Sequence, residues 1–135
     1  MPGLFVNEGD EIRTTVVVGE DRDGRVFADL SKDSLKESFD TLVEDSIKEY
    51  CIVFQRPSYG DLVENTSPII SQEELRSRFD PEIAQLERMV KFIKSWDLID
   101  GEGNAVEVNG DSIRKLHPLV ARVAAIQFDA EVGVQ

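Results

Sequence analysis

Pro81-Glu-Ile-Ala-Gln-Leu-Glu-Arg-Met-Val-Lys-Phe-Ile-Lys-Ser-Trp-Asp97 is the stretch whose reading decides the fold. Asp80 before Pro81 is a helix start, with Asp as the N-cap and Pro at the first helical position. Ile83, Leu86, Val90 and Ile93 then recur on one helical stripe, and Met89, Phe92 and Trp96 widen it. Read as one helix ending near Asp97, this stretch makes the C-terminal part mainly helical. Its apolar arc is broader than one packing face requires. Met89, Phe92 and Trp96 are therefore candidates for a surface that receives a partner.

Downstream, Asp100-Gly-Glu-Gly-Asn104 reads as a turn, and Ala105-Val-Glu-Val108 is long enough only for an edge strand. Asn109 or Asp111 can cap the last helix. Pro118 either restarts a helix or kinks one already formed. Leu119, Val120, Val123, Ala124 and Ile126 give a second wide apolar arc, which adds Val120 and Val123 to the candidate partner surface. Residues 131–135 are expected to fray.

Upstream, Ile12-Arg-Thr-Thr-Val-Val-Val18 is rich in β-branched residues and predicts a strand. Gly19 to Gly24 is a polar turn, and Arg25 to Leu30 is the returning strand of a hairpin. Ser31 or Asp33 caps a helix carrying Leu35, Phe39, Leu42, Val43 and Ile47. Glu49 to Arg56 is either a strand or the end of that helix, broken before Pro57. Ser58 then caps a short helix through Asn65, and Ser71 with Glu74 forms a capping-box pattern. The expected fold is α+β: a small N-terminal β-hairpin in residues 1–30, then a mainly helical part over 31–130. Residues 1–135 read as a single domain.

The chain of 135 residues carries a formal charge of −12, with 41% hydrophobic and 31% charged residues. Such a field repels a phosphate backbone, so no nucleic-acid partner is expected. No segment reaches membrane-spanning length, and the N-terminus lacks the pattern of a signal peptide. Cys51 is the sole cysteine and His117 the sole histidine, which excludes an internal disulfide and a multi-histidine metal site. Cys51 reads as a small core residue, and His117, before Pro118, as a cap or an exposed residue at a helix boundary. As a calcium loop, Asp100 to Asp111 places Ala105 where glycine belongs and Asp111 where a bidentate Glu belongs. No phosphate-binding or dinucleotide motif is present. The expectation is a protein with no catalytic residues, no cofactor and no metal.

Three pieces carry a family resemblance: Val53-Phe-Gln-Arg-Pro-Ser-Tyr-Gly-Asp61, the helical stretch from Met89 to Leu98 ending in Trp-Asp-Leu, and the turn, extended piece and helix from Asp100 to Val123. In order and spacing, residues 50–128 resemble the tail-assembly chaperones of tailed bacteriophages, including small baseplate-hub assembly proteins. The resemblance implies a non-catalytic protein that binds an apolar tail component, such as the tape-measure protein, in the host cytoplasm. Its partner would be another phage tail or virion protein. Two alternatives stand beside it. One is a structural virion subunit at the neck, baseplate or capsid, whose Ile12–Leu30 hairpin adds a strand to a neighbour's sheet. The other is a small cysteine or metal-dependent enzyme using Cys51, His117 or the acidic loops. Self-association into a homo-oligomer is compatible with the wide apolar arcs.

Overall fold

The computed structural model describes residues 5–7, 9–64 and 81–132, with the side chains of 62–64 and 81–84 left aside. The elements in chain order are β1 (Glu11–Glu20), β2 (Val26–Asp29), α1 (Lys32–Ser38), a 3-10 turn (Glu44–Ser46), β3 (Lys48–Gln55), α2 (Tyr59–Glu64), α3 (Pro81–Phe92), β4 (Ile93–Trp96), α4 (Gly110–Arg114) and α5 (Pro118–Val132). The strands form one antiparallel sheet in the order β2-β1-β3-β4. The fold is thus α+β, as expected. A four-stranded sheet organises it, however, and the mainly helical C-terminal part with a minor hairpin is not what forms.

The largest departure lies in the opening stretch. Its helix ends at Phe92, and Ile93–Trp96 crosses over to become the edge strand β4. Ile93 pairs with Phe54, Ser95 with Val53 and Trp96 with Ile52, with an irregularity between Val53 and Phe54. Lys94 is the extra residue of a β-bulge. The bulge puts Ile93 and Trp96, three apart, on the same face of the sheet. That spacing mimics a helical stripe.

β3 settles the alternative left open for Glu49–Arg56. It is the strand that pairs with β1 on one side and β4 on the other. The hairpin of β1 and β2 forms as read. The helix predicted through Ile47 stops at Ser38, because Phe39 turns out to stack on Phe27 of β2 with ring centroids 4.3 Å apart. Leu42 and Ile47 instead close over Gly19, where a Cβ would meet Leu35, Leu42 and Ile47 side chains at 3.3 Å each. Ser31 caps α1, its hydroxyl accepting from the Ser34 N–H. The Ala105–Val108 strand reduces to a bridge between Ile99 and Ala105 outside the sheet. Asn109 caps α4 in a reciprocal box with Ser112, and α5 restarts separately at Pro118. The expected end of α2 at Asn65, the Ser71–Glu74 capping box and the Asp80 cap lie outside the described residues.

α5 packs against β1 and β2. Phe128 of α5 stacks on Phe54 of β3 at 4.4 Å and meets Phe92 of α3 at 5.8 Å. Thr14, the buried polar residue of this face, donates its hydroxyl proton to the Ile52 carbonyl at 2.8 Å. Arg88 of α3 pairs with Asp129 of α5 at 3.3 Å. Beside the sheet, β2 pairs only with Val17–Glu20 of β1. Next along that edge, the Gln127 side chain takes the place of a strand residue. Its Nε2 donates to the Thr15 carbonyl at 2.7 Å, and its Oε1 accepts from the Thr15 N–H at 3.0 Å.

Candidate functional site

Beside the start of α5, where β1 ends and β3 begins, lies an open cleft of about 820 Å³. Its walls come from three segments brought together by the topology: the β1–β3 end of the sheet, the loop after β4, and the corner between α4 and α5. Val18, Tyr50, Trp96, Leu98, Leu116 and Val120 make its apolar part. Lys48, Lys115 and His117 stand among Glu20, Asp45 and Asp100 around them.

The local structure that builds the cleft is traceable to single residues. Trp96 donates its indole N–H to the Val106 carbonyl at 2.7 Å, which holds the loop against the edge strand. Asp97 extends the β3 ladder: its carboxylate accepts from the Cys51 N–H at 2.7 Å, and its own N–H reaches the Cys51 carbonyl at 3.3 Å. The loop turns at Asp100, whose Oδ1 accepts from the N–H groups of Glu102 and Asn104. Gly103 sits there at φ +85°, a conformation glycine adopts without strain. The Asp21–Arg25 turn repeats the arrangement, with Asp21 Oδ1 accepting from Asp23 and Arg25 and Gly24 at φ +81°. Both acidic loops therefore spend one carboxylate oxygen on their own backbone. Among the described residues, no group of three or more His, Cys, Asp or Glu could hold a metal. On the far wall, His117 Nδ1 accepts from the Leu119 N–H at 3.2 Å and its carbonyl accepts from Ala121, making it the N-cap of α5.

Four of the five residues singled out for a partner surface are core. Met89 is 2% exposed, Phe92 4%, Val120 7% and Val123 9%. Their wide arcs are filled by the sheet on one side and by the neighbouring helix on the other. Trp96 is half-buried and packs against that core; with Val120 it also reaches the cleft. Sequence reasoning missed Tyr50, Leu98 and Leu116 as cleft residues, because each belongs to a different element and no linear spacing connects them. Cys51 and His117 are not brought together. Cys51 alternates with Tyr50 and Ile52 along β3, so its side chain lies on the face opposite the cleft.

Two carboxylates outside the cleft, Glu44 and Asp61, show ordinary surface chemistry. The Lys36 ammonium 2.7 Å from Glu44 holds that carboxyl below its usual range, with Lys32 adding at 3.6 Å. Asp61 is likewise lowered, chiefly by the Ser58 N–H it accepts at 2.9 Å and then by the Ser58 hydroxyl. No family model matches the chain, and no match is found among curated proteins or solved structures.

Proposed function

We propose that this protein is a non-catalytic assembly factor of a bacteriophage tail or baseplate, which holds an apolar segment of another tail component such as the tape-measure protein. The observation that carries the reading is the cleft with its apolar lining and mixed polar rim. Two of the three pieces behind the family resemblance contribute to it: Trp96 and Leu98 from the second, and Asp100, Leu116 and Val120 from the third. The charge of −12 supports the same role by keeping a complex with an apolar partner in solution. The docking residues in this reading are Leu98, Ile99, Leu116 and Trp96 rather than the buried Met89, Phe92 and Val123.

Co-expression with a long apolar helical tail protein tests it. The wild-type chain should raise that protein's soluble yield and co-purify with it. Ile99→Asp, at a cleft residue 41% exposed, should weaken both effects without unfolding the chain. Absence of co-purification with such tail proteins overturns the reading. A structural virion subunit is the second reading, favoured by the incompletely covered β1 edge. Mass spectrometry of purified particles separates the two: a subunit is present in fixed copy number, a chaperone is absent.

A further inference from the structure

We infer that the Glu11–Arg13 segment of β1 pairs, edge to edge, with the same segment of a second copy of this chain. The inference is independent of the tail-assembly reading. It begins from the Gln127 amide. Because Thr15 gives both its backbone groups to Gln127, it points them away from β3. In an antiparallel ladder, backbone direction alternates, so Arg13 and Glu11 point their N–H and C=O groups to the same side. β2 does not reach them, since its pairing with β1 begins at Val17. Among the described residues, no strand lies beside Glu11–Val16 on that side. Gln127 occupies the position between β2 and this run, and so marks where the edge left unpaired by the described strands starts.

Charge selects the occupant and the register. An antiparallel pair centred on Ile12 sets Glu11 of each copy opposite Arg13 of the other, giving two opposite-charge cross-strand pairs. A pair centred on Arg13 would instead set the two guanidiniums against each other. Within one chain the two side chains already lie 3.8 Å apart, with Arg13 74% exposed at its side chain and Glu11 29%. Both copies carry −12 and repel at long range, so association needs this local complementarity. The two-fold axis of such a pair stands perpendicular to the sheet, which continues through both copies and keeps both α5 helices on one face. Ile126, 52% exposed and next to Gln127, adds apolar surface on that face.

Sedimentation velocity of the full chain over a concentration series tests the pairing. Wild type should show a concentration-dependent monomer–dimer equilibrium. Arg13→Glu sets Glu against Glu at both ends of the pair and should weaken the dimer by roughly tenfold or more. The double swap Glu11→Arg with Arg13→Glu should restore it, because each copy again presents opposite charges. Circular dichroism checks that each variant keeps its fold. A wild type that stays monomeric throughout overturns the inference and leaves the edge to a strand of another protein. A dimer indifferent to Arg13→Glu also overturns it, by placing the contact elsewhere.

Discussion

The two faces of the sheet are covered from different distances along the chain. On one face, α5 reaches back to the N-terminal strand, and the Thr15–Gln127 contact joins residues 112 apart in sequence. Phe54, Phe92 and Phe128 meet there in a continuous core. On the other face, α1 follows β2 almost at once, and Phe39 folds back onto Phe27. Leu35 and Val17 are as buried as the first core but stand outside it. The near face is a local cover over one end of the sheet. The far face depends on elements distant in sequence, so its contacts carry the larger loop-closure cost.

Paired truncations would break this distinction most directly. Phe128→Ala, at a residue 1% exposed and central to three elements, should cost about 4 kcal/mol. Leu35→Ala, fully buried beneath a local cover that can collapse, should cost about 2–3 kcal/mol. Urea unfolding midpoints read both. Equal losses would show that the two faces unfold as one core, and a larger loss at Leu35 would reverse the assignment.

Legibility divides by sequence range rather than by face. The hairpin comes from its β-branched runs, whereas local signals narrow the helix starts to two readings each: Ser31 or Asp33, Asn109 or Asp111, and a restart or a kink at Pro118. Phe39, Leu42 and Ile47 keep helical spacing, yet tertiary contacts with Phe27 and Gly19 override it. Ile93 and Trp96 mislead more deeply, since a bulge at Lys94 gives a strand the spacing of a helix. Four of the five candidate partner residues are buried for a related reason. A wide arc on one helix reads the same whether a sheet and a second helix fill it or solvent meets it. The cleft was invisible because Tyr50, Trp96, Leu98 and Leu116 become neighbours only through strand pairing.

A smaller effect tests whether Trp96 serves the edge strand in the way the bulge requires. Trp96→Phe keeps an aromatic ring against the core and removes the indole N–H that binds the Val106 carbonyl. The loss should be about 1 kcal/mol, the usual net worth of one such bond with its partner left half-exposed. Amide exchange should rise in the Leu98–Val108 loop and stay unchanged in α5. Faster exchange in α5 would mean that Trp96 supports the far core itself and that the loop is no separate unit.

The smallest effect concerns a cap that belongs to neither face. Ser58 and Asp61 close the start of α2 reciprocally: the Ser58 N–H donates to Asp61 Oδ2 at 2.9 Å, and the Asp61 N–H donates to Ser58 Oγ at 3.2 Å. The first bond favours the ionised carboxyl, so its folded pKa lies below its unfolded value. A depressed pKa stabilises the fold above the unfolded pKa, and that stability is lost as the pH falls through the lower folded value. Asp61→Asn retains an acceptor and loses the charge. It should be slightly less stable than wild type at neutral pH, and the gap should close as the pH falls through the lowered folded value. A gap that is the same at every pH would show that the charge contributes nothing and that the cap acts through hydrogen-bond geometry alone.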